Sequence, residues 1–180
     1  QPYKPKVLII GDWDADGVIA AAEISYAQET LGVFPVKGRA EVELRPAGPR
    51  SFQAALLGGC WDYVVILDIP FTQDVEAALK ALFDSGCKPK IYYFDHHKVT
   101  LEKATYIEET FNATTFIGVS PTSILVKAFL EGLGVRLTPR LRDLVASMAV
   151  LESGGWLGRR EGQVPEGVVK IAASISKTIN

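Results

Sequence analysis

Lys6-Val7-Leu8-Ile9-Ile10-Gly11-Asp12-Trp13-Asp14-Ala15-Asp16-Gly17 passes from a β-branched apolar run into three alternating aspartates and a glycine. From Gly17 to Leu31, alanines with Ile19, Ile24 and Tyr26 recur at helical spacing, so the stretch reads as strand, acidic loop, helix. Two further apolar runs end the same way. Asp62-Tyr63-Val64-Val65-Ile66-Leu67 closes on Asp68, and Ile91-Tyr92-Tyr93-Phe94 closes on Asp95-His96-His97, which holds both histidines of the chain. Between them Val75, Leu79, Leu82 and Phe83 mark an amphipathic helix over Asp74 to Ser85. Strands that alternate with helices predict an α/β fold with a mostly parallel sheet flanked by helices on both faces. The polar residues then collect at the carboxyl edge of the strands, where open α/β folds bind ligands.

The remaining pattern extends this frame. Glu41 to Leu44 is a candidate strand, and the turn Pro46-Ala47-Gly48-Pro49 leads into a short helix from Ser51 to about Leu57. Ser120-Pro121 and Thr138-Pro139 each place a capping residue before a proline, predicting helices over 121–132 and 139–152. Five glycines and Pro165 make 153–167 a loop, and Val168 to Ile179 reads as a last helix. The expected division is a catalytic unit over 1–155 and, over 156–180, a loop and helix leading to a second domain. Because the chain opens on Gln1 and stops inside a helical pattern, it is expected to be a piece of a longer protein.

With 180 residues, 48% of them hydrophobic, the chain can bury a full core. Its net charge of -2 argues against a generic nucleic-acid coat and still permits a local basic groove. No apolar run approaches the roughly 20 residues of a membrane span, so a cytoplasmic protein with no membrane partner is expected. Cys60 and Cys87 lack metal-type spacing and read as small buried hydrophobes in a reducing compartment.

The acidic loop satisfies the calcium pattern D-x-D-x-D-G-x5-E through Glu23, yet an EF-hand needs an entering helix and here a strand enters. A helix cap would need one aspartate only. Three on one loop repel by about 3 kcal/mol per pair at ~5 Å and an effective dielectric near 20, so a cation is the expected remedy. Gly17 is expected to let the backbone turn tightly as the helix begins.

Asp14-Ala15-Asp16-Gly17, Asp68 and Asp95-His96-His97, in this order and each after a strand, resemble the motifs of the DHH phosphoesterase superfamily over about residues 6–155. Asp12-Trp13-Asp14-Ala15-Asp16-Gly17 looks most like the RecJ branch, which includes archaeal RecJ-like proteins and replication factors descended from them. The resemblance implies that Asp14, Asp16, Asp68 and His96 are metal ligands, with Asp68 bridging two ions, and that Asp12 is either a ligand too or a group that supports the ligands from behind. It further implies that Asp95 orients His96 from behind and that His97 contacts the scissile phosphate, with Asp16, Asp68 and His97 the catalytic set. Glu152 stands where the family has a late aspartate ligand, and Pro70 where it usually has glycine; the family's second, substrate-gripping domain has no counterpart in the chain.

The implied activity is hydrolysis of phosphodiester bonds, as in a single-strand exonuclease acting on DNA or RNA, with two Mn2+ ions as cofactor and Mg2+ as the second choice. Lys98, Arg159 and Arg160 are candidates for holding substrate phosphates, and Trp13 for stacking on a base. Two other readings stay open: a non-catalytic replication or repair module that binds partner proteins, and a hydrolase of small nucleotides or pyrophosphate.

Overall fold

The computed structural model describes residues 3–152. Five strands form one wholly parallel sheet: β1 (Lys6–Gly11), β2 (Glu41–Pro46), β3 (Tyr63–Leu67), β4 (Lys90–Asp95) and β5 (Ala113–Ile117), in spatial order β2-β1-β3-β4-β5. Parallel strands need crossovers, and helices supply them: α1 (Ala15–Ser25), α2 (Phe52–Ala55), α3 (Gln73–Asp84), α4 (Lys98–Glu102) and α5 (Ala104–Thr110), with α6 (Thr122–Gly132) and α7 (Pro139–Glu152) after the last strand. α1 runs on into a π-helical turn over Tyr26–Thr30. The order reverses between β1 and β3, so a crevice is expected where the loops after these two strands diverge.

The sheet separates two apolar layers. Leu8, Ile10, Val64, Ile66, Ile91 and Tyr93 pack against α2, α3 and α5, whereas Val7, Ile9, Val65, Leu67 and Phe94 pack against α1, α6 and α7. Successive strand residues point to opposite faces and both faces are covered, which is why these strands are continuously apolar rather than alternating. β2 lies at the edge, and its Leu44 remains exposed. Among the described residues no helix is long and apolar enough to cross a membrane.

The structure corrects the reading of the cysteines. Cys60 and Cys87 form a disulfide with a Cα–Cα separation of 5.6 Å, although they stand 27 positions apart in sequence. They precede β3 and β4, which are neighbours in the sheet, so two loops remote in sequence meet at its amino edge. Spacing along the chain carries no sign of that pairing.

Candidate metal and phosphate site

Parallel register brings the three motifs level. Gly11 lies beside Leu67, and Leu67 beside Phe94, so Asp12, Asp68 and Asp95 leave adjacent strands at the same carboxyl edge. Backbone hydrogen bonds continue past the strand ends, from Asp12 N–H to Leu67 O at 3.2 Å and from Asp68 N–H to Phe94 O at 2.9 Å.

Asp14 caps α1, accepting the Gly17 N–H at 2.8 Å. The value of Gly17 lies elsewhere than expected: its conformation is helical, but a Cβ there would stand 2.5 Å from the Asp12 carbonyl oxygen. Bare backbone lets the acidic loop fold onto the helix start. Asp68 is the one non-glycine residue with positive φ among the described residues, at 62°, a strained conformation of the kind found where a side chain must be aimed.

Two clusters result. Ligand atoms of Asp12, Asp14 and Asp68 lie within 4.8 Å of one another, and so do those of Asp68, His96 and His97. Asp68 belongs to both and is buried. Its Oδ1 accepts the Thr122 hydroxyl at 3.0 Å and lies 3.1 Å from His96 Nε2. Burial, with Asp16 and Asp14 nearby and His96 acting in the opposite sense, pushes the Asp68 carboxyl up to about 8. Burial also raises Asp12, whose Oδ1 accepts the Trp13 N–H at 2.7 Å.

Asp16 sits beside these clusters, with Oδ2 3.9 Å from His96 Nε2. Its two oxygens each accept a backbone N–H from the start of α6, Thr122 and Ser123, both at 2.8 Å. Asp16 thus does the capping that Ser120 was expected to do; the residue before α6 is Pro121, and it makes no side-chain cap. At α7, Thr138 caps as expected, through Leu141 N–H at 3.2 Å.

The partner of Asp95 also differs from expectation. Its Oδ1 lies 2.7 Å from Nδ1 of His97, not His96, because the extended backbone of His97 ahead of α4 folds that ring back onto the strand end. This hydrogen bond outweighs desolvation and raises the His97 pKa. Lys98 is exposed, 3.9 Å from Glu102, and joins neither cluster. Glu152 ends α7 with its side chain outside the described residues; Arg159 and Arg160 also lie outside them.

Sequence reasoning missed Thr122, Ser123 and Thr100. A Pro-Thr-Ser run opening a helix was the available sign of the first two. It also gave Glu23 no role, and the structure buries that carboxyl in α1 with both oxygens lacking a hydrogen-bond partner among the described residues, so that desolvation pushes it up to about 10.

Carboxylates with one or two imidazoles, partly buried and short of positive charge, make a donor set that suits Mn2+ or Mg2+. Trp13 is exposed at the rim, and an apolar cavity of about 180 Å3, lined by Val18, Leu44 and Pro46 among others, borders Asp12.

Comparison with solved structures places the five-stranded fold among known ones. The RecJ of Thermus thermophilus in complex with Mn2+ aligns at TM-score 0.52 and 20% identity, over 82% of this chain and 22% of that one. The fold is RecJ-like. A manganese-bound RecJ exonuclease aligns at TM-score 0.54 and 18% identity over 94% of this chain and 43% of its own, and CDC45 of Entamoeba histolytica at TM-score 0.58 and 12% identity over 94% and 34%. The chain therefore spans less than half of each of these three proteins. No family model matches the sequence, and no curated protein matches it.

Proposed function

We propose that this chain carries the catalytic unit of a metal-dependent phosphoesterase of RecJ type, which hydrolyses phosphodiester bonds of single-stranded DNA or RNA. The observation that carries the reading is the sharing of buried Asp68 between two ligand clusters, the placement a bridging carboxylate requires. Asp12 and Asp14 would hold one ion with Asp68, and His96 would hold the other with it; Asp16, beside the clusters, and Glu152 are proposed as further ligands of that second ion, while His97, whose Nδ1 is turned to Asp95, is left for the substrate. Manganese is the ion of choice, since both RecJ neighbours are described with it. Bound there, the ions would supply Lewis acidity and lower the pKa of water.

The chain's own residues do the rest. α6 and Thr122 hold Asp16 and Asp68 in place, and Asp95 fixes the His97 ring, whose side chain is 39% exposed and so able to meet a phosphate oxygen. Exposed Trp13 offers a face for a base. Lys98, Arg159 and Arg160 are proposed phosphate contacts, the last two outside the described residues.

The test is calorimetric titration of EDTA-treated protein with Mn2+, beside Asp68→Asn, followed by nucleotide release from single-stranded oligonucleotides of graded length. Two ions bound by the wild type and lost in the variant are expected, with Mn2+-dependent hydrolysis that Asp16→Ala abolishes. Hydrolysis unaffected by Asp16→Ala would discard the site. The likeness to CDC45, whose TM-score is the highest of the three, favours a second reading: a module retained for replication or repair assembly. Ion binding without hydrolysis at any chain length would select it, and turnover of only the shortest substrates would select a small-nucleotide or pyrophosphate hydrolase.

A further inference from the structure

Thr100 lies in α4, wholly buried, three residues beyond His97. Its Oγ1 accepts the Phe71 N–H at 2.9 Å and donates to Asp95 Oδ2 at 2.5 Å. A hydroxyl has one proton, and a backbone N–H can only donate. Facing an ionised Asp95, which can only accept, the threonine hydroxyl donates to Oδ2, while Oγ1 takes the Phe71 N–H and the Tyr93 hydroxyl spends its own proton on Ile69 O. The other oxygen of that carboxylate, Oδ1, lies 2.7 Å from His97 Nδ1, and since a carboxylate oxygen only accepts, the contact is a hydrogen bond when Nδ1 carries the proton. The hydrogen bonds therefore have one polarity, running from Phe71 N–H through Thr100 to Asp95, with His97 Nδ1–H donating from the opposite side.

We propose that Thr100 is a positioning residue for His97: it saturates the inner oxygen of Asp95, holds the imidazole as its Nδ1–H tautomer, and leaves Nε2 for the substrate. Because Phe71 belongs to the loop that begins at Asp68, the same hydroxyl ties that loop to the Asp95-His96-His97 turn. Tyr93 reinforces the tie by donating its hydroxyl to Ile69 O at 2.6 Å. Thr100 itself touches none of the proposed ligands, so ion binding and His97 orientation are separable. The catalytic arm of this inference rests on the phosphoesterase reading; the tautomer arm does not.

The experiment compares wild type, Thr100→Val and Thr100→Ser. The Val variant has nearly the same shape and no hydroxyl. Proton–nitrogen correlation spectra of the two ring systems, assigned by His96→Gln and taken at a pH where the imidazole is neutral, read the His97 tautomer in the EDTA-treated chain. A single Nδ1–H form is expected in wild type and Thr100→Ser, and a mixture of tautomers in Thr100→Val. With Mn2+ and a single-stranded oligonucleotide, kcat is expected to fall about 10- to 100-fold in Thr100→Val, as for other partners standing behind a working histidine, with KM and Mn2+ affinity little changed and recovery in Thr100→Ser. Should Thr100→Val fold poorly, Thr100→Ala removes the same hydroxyl without added bulk. An unaltered Nδ1–H tautomer in the Val or Ala variant, or no recovery in Thr100→Ser, overturns the proposal. If the wild type hydrolyses nothing, the phosphoesterase reading fails alone, and the spectra still decide Thr100.

Discussion

Asp68→Asn is expected to stabilise the metal-free protein while abolishing its ion binding. The wild-type carboxyl is pushed from 3.8 to about 8 in the folded state. In the unfolded chain it releases its proton above pH 3.8; in the folded chain it keeps it to about pH 8, so the native state binds more protons across that window. Stability contributed by this group is therefore full at acid pH and lost as pH rises from about 4 to 8. Between 3.8 and pH 7 lie about three pH units, each worth about 1.4 kcal/mol, so the wild type forfeits about 4 kcal/mol at pH 7. Asparagine has the same shape, tolerates the positive φ of 62°, can still accept from Thr122 and does not ionise. Glu23 titrates in both proteins, so its slope cancels in the difference. Urea unfolding of EDTA-treated protein, followed through buried Trp61, should show the two proteins close at pH 4 and Asp68→Asn ahead by about 4 kcal/mol at pH 7. Mn2+ at 100 times its Kd should return about 2.7 kcal/mol to the wild type alone. A gap that stays flat from pH 4 to 8 refutes the reasoning.

Three other perturbations have defined outcomes. Gly17→Ala forces a Cβ against Asp12 backbone that has no flexible end to yield, and should lower stability by about 1–3 kcal/mol and weaken Mn2+ binding, read by denaturation and calorimetry. Reducing Cys60–Cys87, or replacing both by serine, should lower stability by about 3–4 kcal/mol for a loop of this length, yet leave Mn2+ affinity unchanged because the bridge lies at the far edge of the sheet. Glu23→Met removes a buried carboxyl without hydrogen-bond partners among the described residues; since the wild-type carboxyl is raised from 4.5 to about 10, the advantage of the variant should be level below about pH 4.5 and grow by about 1.4 kcal/mol per pH unit above it, reaching about 3 kcal/mol more at pH 7 than at pH 4.5, in unfolding curves taken across that range.

Much of the architecture was legible because the central strands are buried and rich in β-branched or aromatic residues. Val7 to Ile10, Tyr63 to Leu67 and Ile91 to Phe94 read as strands from composition alone, and the motif at the end of each located the carboxyl edge. Residues 98–119 carried no such signal. There α4 and α5 are short, and β5 is a half-buried edge strand with Thr114 and Thr115 in place of an apolar run. In the site, the sequence named the carboxylates and histidines but not their mutual partners. Which histidine Asp95 meets depends on the backbone turn at His97, and the cap of α6 comes from Asp16, on another element altogether. Both are tertiary facts that neighbour-by-neighbour reading does not reach. The pairing of Cys60 with Cys87 is hidden for the same reason, since it follows from strand order.

The grip of α6 on Asp16 spans 106 residues of chain. During synthesis the first acidic loop leaves the ribosome long before the backbone N–H groups that hold its last aspartate exist as a helix end. A nascent chain stopped before Thr122 would own Asp12, Asp14, Asp16, Asp68, His96 and His97 and still lack the donors that set two of those carboxylates. Uptake of the proposed ion would thereby wait until the α6 layer has docked, and a chain stopped before Thr122 would present its carboxylates without the donors that set Asp16 and Asp68.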